Sequence, residues 1–161
     1  LLLPQQSWWY YKKIAKEVHG DHVEYPLYER GSRFEFDVDE IIKLYNIHTP
    51  HLILIASPNN PTGSTMKRDE LTLLIDYCSS SFIVLDQAYF GFEDSSNDHL
   101  KDLLNTHSRL AVLRTFSKYY ALAGLRIGYT CVGTELAHLI EFSARYLGYN
   151  QLTEKIALAA L

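Results

Sequence analysis

The sequence predicts an α/β fold three layers deep, with a mostly parallel sheet between helices. Strand-length apolar runs alternate with segments of helical period, and several of these runs are apolar on both faces, as in a strand covered on two sides. Polar clusters come directly after the runs, and in such sheets ligands bind at the carboxyl ends of the strands.

In order along the chain, Leu1 to Leu3 is expected to end a strand. Trp8 to Val18 reads as a helix whose Ile14 and Val18 lie four residues apart on one face, stopped by Gly20. Val23 to Tyr28 is a candidate strand that Pro26 weakens, and Asp37-Val38-Asp39-Glu40 opens a helix with acidic residues at its positive end. His51 to Ala56 is a strand, Lys67 to Cys78 a helix with Leu71, Leu74, Ile75 and Cys78 at helical spacing, and Phe82 to Leu85 a buried strand. Leu100 to Leu104 is a short helix, Leu110 to Arg114 and Ile127 to Val132 are strands, and Glu135 to Leu147 is a helix with Leu139, Ile140 and Phe142 inward. Glu93 to Asp98 reads as a polar surface loop.

Composition narrows the function. The chain has 161 residues, 15 Lys+Arg against 19 Asp+Glu, a net charge of −4 and 47% hydrophobic residues, which describes one ordinary soluble domain. Scattered basic residues on a mildly acidic chain argue against nucleic-acid binding. The apolar runs are far short of the ~20 residues of a membrane span. Cys78 and Cys131 form neither a CxxC pair nor a disulfide framework, so a reducing, cytoplasmic setting is expected. His19/His22 and His48/His51 have ligand-like spacing without a third ligand on the same face, so no metal is expected. Gly124 and Gly128 match a helix-packing spacing but lie among polar residues. The first residues carry no initiator Met or charged leader, and Glu154 to Leu161 is helix-forming with nothing to stop it. Both ends are expected to be cuts from a longer chain.

Three clusters sit after the central strands: Ser57-Pro58-Asn59-Asn60-Pro61-Thr62-Gly63, then Asp86-Gln87-Ala88-Tyr89, then Thr115-Phe116-Ser117-Lys118 running on to Leu122-Ala123-Gly124-Leu125-Arg126-Ile127-Gly128-Tyr129. Singly, each has a plain reading: a turn, a helix cap, a solvated lysine. Their order is more specific. An Asn turn, an Asp-x-x-Tyr and a Ser-Lys with an arginine eight residues later resemble the fold-type I pyridoxal-phosphate enzymes of the class I/II aminotransferases, and most closely the histidinol-phosphate aminotransferase branch.

The resemblance implies that residues 1–161 are the major part of the large cofactor-binding domain of an aspartate-aminotransferase-like fold. The glycine-rich segment would lie before residue 1, and the small domain and substrate arginine after residue 161. It implies pyridoxal 5'-phosphate as cofactor and Lys118 as its Schiff-base lysine, because only a primary amine makes an imine. Freed, Lys118 would then move the substrate Cα proton as base and acid. Asp86 matches the carboxylate facing the pyridine nitrogen, and Asn60 and Tyr89 match the pair on the ring oxygen. Thr115, Ser117 and Arg126 match the phosphate cup, whose dianion suits hydroxyls and a bidentate guanidinium. Trp8 matches the aromatic that stacks on the ring, with a core tryptophan beside Trp9 as the other reading.

The implied partners are a small-molecule amino donor, a 2-oxo acid acceptor and a second subunit in a homodimer, with a place in amino-acid biosynthesis. Family resemblance also implies a cis Asn60–Pro61 bond. Gln87 stands where the family often has Glu, and Trp8 where this branch more often has Tyr. A decarboxylase or lyase would use the same cofactor residues, and a catalytically silent fragment is the reading of another class.

Overall fold

The structure, a computed structural model, describes residues 1–92, 99–143 and 150–161. The elements run β1 (Leu2–Pro4), α1 (Tyr10–Glu17), β2 (Val23–Tyr25), β3 (Leu27–Arg30), β4 (Arg33–Phe36), α2 (Val38–His48), β5 (Leu52–Ala56), α3 (Arg68–Tyr77) and β6 (Phe82–Asp86). They continue with α4 (Leu100–Thr106), β7 (Leu110–Thr115), a 3₁₀ turn at Ala123–Leu125, β8 (Gly128–Val132), a 3₁₀ segment at Thr134–Ser143 and α5 (Gln151–Ala160).

Six strands form one sheet in the order β2-β1-β5-β6-β7-β8, parallel throughout except for the antiparallel pairing of β8 on β7. The order reverses direction at β1, which pairs with β2 on one side and β5 on the other. Such a reversal opens a crevice beyond the strand ends, because the connections leave toward opposite faces. By the right-handed crossover rule, α1 lies on the face opposite α3 and α4. On the α2/α3 face, Ile53, Ile55, Ile83, Leu85, Leu110 and Val112 are buried with Ile41, Leu71, Leu74 and Ile75. Burying one such side chain fully is worth about 1.5–3 kcal/mol. On the other face Leu54, Val84 and Leu113 are partly buried.

Most expected elements are present, with three differences. The run from Val23 to Tyr28 is two strands: β2 joins the main sheet, while β3 pairs with β4 in a separate hairpin. Gly31 takes φ +66° at the first central position of its two-residue turn, the place a type II′ hairpin reserves for glycine. In α1 the face carrying Ile14 and Val18 is exposed, and Ala15 is the buried residue. The third difference concerns the helix expected from Glu135, which is a 3₁₀ segment. Residues three apart eclipse in such a segment, so Leu136, Leu139 and Phe142 form one ridge. Their exposure climbs from 8% to 39% to 77%, and Ile140 is 61% exposed, so the ridge runs off the sheet edge instead of packing inward. The expected loop at 93–98 and the end of that helix at 144–147 lie outside the described residues.

Helix α2 begins as its sequence requires: the Asp37 carboxylate accepts from the Glu40 amide at 3.0 Å, with Asp39 and Glu40 in the first turn. At α3 the Glu70 carboxylate accepts from the Lys67 amide at 3.2 Å. Among the described residues no helix is long and apolar enough to cross a membrane.

Candidate active site

The polar clusters meet because the strands carrying them end in register. Ala56, at the end of β5, pairs with Asp86, at the end of β6, and Asp86 pairs with Leu113 of β7. The ladder runs on past the strands. Ser57 donates its amide to the Asp86 carbonyl at 3.0 Å, and Gln87 donates to the Leu113 carbonyl at 2.9 Å. Asp86 is therefore clamped by backbone on both sides, and its side chain has a fixed origin.

One carboxylate oxygen of Asp86 accepts from the Tyr11 hydroxyl at 2.7 Å and the other from the Ala88 amide at 2.8 Å. Each oxygen keeps a lone pair for a further donor. Burial, and after it the Asp86 charge, pushes the Tyr11 phenol well above its ordinary pKa, so this hydroxyl stays a donor at neutral pH.

The Asn turn is tied to itself and to the chain after β1. The buried Asn59 accepts from the Ser7 hydroxyl at 2.6 Å and donates its amide to the Gln6 carbonyl at 2.7 Å and to Thr62 Oγ1 at 2.8 Å. Ser57 Oγ accepts from the Met66 amide at 3.0 Å and closes the loop from below. Ser57–Pro58 and Asn60–Pro61 are both cis, the second as the resemblance implied. These bonds join the chain after β1 to the chain after β5, across the switch point.

A cavity of about 180 Å³ lies at that junction, lined by Trp8, Tyr11, Ala56, Pro58, Asn60, Asp86, Ala88, Tyr89 and Lys118. Five of the expected site residues, Trp8, Asn60, Asp86, Tyr89 and Lys118, thus share one cavity. Lys118 Nζ stands 5.2 Å from the centroid of the Tyr89 ring, within cation–π range. Trp8 walls the cavity, meets Tyr11 edge-on at 5.5 Å and is 42% exposed, so it is not a core tryptophan, while Trp9 is 65% exposed.

Thr115, Ser117 and Arg126 are not among the walls of this cavity. Thr115 Oγ1 donates to the Ile127 carbonyl at 3.2 Å and accepts from the Ser117 amide at 3.1 Å. Arg126 is exposed, with φ +53°, and donates from Nη1 to the Ala123 carbonyl at 3.2 Å. Gln87 accepts from Arg114 Nε at 2.9 Å, and the buried Arg114 guanidinium lies 3.6 Å from the Phe90 ring centroid. A neutral amide suffices where the resemblance led one to expect Glu.

Two residues escape the sequence reading. Tyr11 is one turn beyond Trp8, and Ile14 and Val18 mask its inward direction. Asn59 carries the loop's hydrogen bonds, although the motif points to Asn60 beside it; an asparagine at the centre of a turn is the available signal. A larger cavity, about 370 Å³, opens between α3, α4 and the sheet, lined by Leu71, Leu85, Phe90, Leu100, Leu103 and Val112 with Gln87 and His99. It contains none of the expected site residues, so volume alone does not choose the site.

The family model for aminotransferase class I and II matches residues 1–161. A curated histidinol-phosphate aminotransferase from Ruminiclostridium cellulolyticum is 32% identical over 161 residues, all of this chain and 44% of that protein. The crystal structure of histidinol-phosphate aminotransferase from Sinorhizobium meliloti in complex with pyridoxal-5'-phosphate superposes with a TM-score of 0.84 at 23% identity, over 99% of this chain and 43% of that one. A pyridoxal-phosphate-bound C–S lyase from Staphylococcus hominis has a TM-score of 0.78 at 20% identity, over 94% of this chain and 40% of that one. The chain thus spans less than half the length of the proteins it matches.

Proposed function

Because the chain belongs to the class I and II aminotransferase family, we propose that it forms the cofactor-binding core of a pyridoxal-phosphate-dependent aminotransferase. The reaction exchanges an amino group between an amino acid or amine, histidinol phosphate among the candidates, and a 2-oxo acid. One observation carries the reading: an aspartate clamped between two strands and a lysine on the next turn line the same cavity at the strand ends.

The residues fit the cofactor. At about 180 Å³ the cavity is smaller than the ~300–1,000 Å³ of a drug-sized site, which suits one substituted ring with its phosphate outside. The free lone pairs of Asp86 suit a protonated ring nitrogen, an aromatic wall suits the ring face, and an amine suits the aldehyde. When bound, pyridoxal phosphate supplies the electron sink that lets a carbanion form at the donor's α carbon.

The protein's share is binding, orientation and proton movement. Lys118 would hold the cofactor through its amine, the group that reacts with an aldehyde. With the cofactor bound, the same amine would be the group placed to take a proton from the donor's Cα and to return it. Asp86 would favour a positive charge on the ring nitrogen, and Tyr11 holds its carboxylate in place. Asn60 and Tyr89 would hold the ring oxygen, and Trp8 would supply an aromatic wall for the ring. Thr115, Ser117 and Arg126, outside this cavity, would take the phosphate, for which a guanidinium offers a bidentate fork. In this reading the chain is part of the large domain of a longer cytoplasmic protein that works as a homodimer.

Similarity in sequence to aminotransferases favours transamination over the lyase chemistry found on the same fold. The test uses full-length protein mixed with pyridoxal phosphate, reduced with borohydride and mapped by peptide mass spectrometry. A cofactor adduct on Lys118 is expected. Addition of an amino acid donor without reductant should then release pyridoxamine phosphate and a 2-oxo acid. No adduct on Lys118 would identify a silent domain, and carbon dioxide or an elimination product in place of the 2-oxo acid would replace transaminase by decarboxylase or lyase.

A further inference from the structure

The lysine-bearing turn and the turn after β6 are held together at one place by a glycine and an aromatic ring. Gly91, at φ +99°, lies against the face of Tyr119: a Cβ built on it would stand 2.6 to 2.9 Å from three atoms of that ring, far inside van der Waals contact. Both the backbone angle and the space admit only glycine. Phe92 meets the same ring edge-on at 5.6 Å and 89°, and Tyr120 meets it at 5.5 Å and 81°. The ring is boxed on three sides although Tyr119 is 53% exposed.

The two turns are stiff in themselves. Phe90 donates its amide to the Gln87 carbonyl at 2.9 Å, and Ala121 donates to the Lys118 carbonyl at 2.9 Å. The adjustable quantity is the offset of one turn against the other. Tyr89 and Lys118, the cavity residues on either side of that offset, are each within two residues of the Gly91–Tyr119 contact. Phe92 also packs on Tyr89 at 6.2 Å, completing an aromatic path from Tyr119 to the cavity wall.

We infer that Tyr119, seated on the bare backbone of Gly91, is a positioning residue that sets where Lys118 Nζ stands over the cavity. Tyr119 is not among the residues that line the cavity. The ring acts through Lys118 by fixing the turn that carries it, and Gly91 is the seat that lets the ring approach. The inference rests on the proposed role of Lys118.

Three variants of the full-length protein test it: Tyr119→Ala removes the ring, Tyr119→Phe keeps it, and Gly91→Ala pushes it off its seat. Loss of reacting-atom alignment by about 1 Å costs up to about 10²-fold in rate. Tyr119→Ala should therefore lower kcat by roughly 10- to 100-fold, leave KM for the amino donor within about twofold, and shift the pH midpoint of the lysine-bound cofactor's absorbance. Its melting temperature should match the wild type, and Tyr119→Phe should restore kcat and pH midpoint together. Gly91→Ala should behave as Tyr119→Ala, or lose melting temperature if the strain at that φ cannot be relieved; both results agree with a glycine seat. Tyr119→Ala with unchanged kcat and pH midpoint would overturn the inference, as would parallel losses in kcat, KM and melting temperature. If the wild type acquires no cofactor on Lys118, the proposed function itself fails and takes the inference with it. A labelled wild type with an indifferent Tyr119→Ala removes only the inference.

Discussion

The two sides of the cavity are built by different means. On the strand side, Asp86 and Asn59 are held by the ladder of the sheet and by side-chain bonds reaching back to residues 6 and 7. On the turn side, Lys118 and Arg126 are exposed, on a connection in which Ala121 and Arg126 both adopt positive φ. The first side is fold and site at once: the bonds that would orient a ring also close the sheet. The second is carried by the fold without holding it together. Chemistry and stability should therefore part company across a few ångströms.

Lys118→Ala draws that line most sharply. Cofactor attachment and transamination should vanish completely, while the stability of the cofactor-free protein stays within about 0.5 kcal/mol of the cofactor-free wild type, as for an exposed side chain. Borohydride mapping alongside a denaturation midpoint checks both; a large fall in the midpoint would show the lysine turn to be structural after all.

Asn59→Ala should do the reverse. It deletes three side-chain hydrogen bonds at a buried position, a loss of about 2–4 kcal/mol and roughly 5–15 °C in melting temperature. A melting point within about 2 °C of wild type, less than the loss of one such bond would cause, would break the claim that the strand side is structural.

The smallest effect is on pH dependence. Burial raises the pKa of Tyr25, whose hydroxyl donates to the Leu54 carbonyl at 3.0 Å, and of Tyr11 above the ordinary 10.0. Below that value both tyrosines are neutral in folded and unfolded chains, and their contribution is constant. Above it the unfolded chain ionises first and binds fewer protons, so stability falls as pH rises from about 10 upward. Urea midpoints at about pH 9 and about pH 11, on either side of that value, should show the drop, with a shallower slope in Tyr25→Phe. Equal slopes would remove Tyr25 as a source.

The strand side is also the more legible in sequence. β5, β6 and β7 announce themselves as apolar runs because both their faces meet protein, and the polar residues after each run stand at a strand end by construction. The hairpin is hidden for the opposite reason. Tyr28, Glu29 and Arg30 face solvent in β3, so no apolar pattern marks it, and Pro26 reads as a flaw in one strand when it stands between two. Tyr11 is hard to find because α1 directs its larger aliphatic residues outward and packs through Ala15. The ridge at Leu136, Leu139 and Phe142 resembles an inward helical face in sequence because spacing alone does not distinguish about 3.0 from about 3.6 residues per turn over so short a run.

The chain has two tryptophans, and they are neighbours. Trp8 walls the cavity, whereas Trp9 faces water. An indole therefore stands at the cavity wall with a second indole one peptide away. A molecule that enters the crevice meets the indole of Trp8 and should change the emission of the pair, so entry can be followed optically without attaching any label.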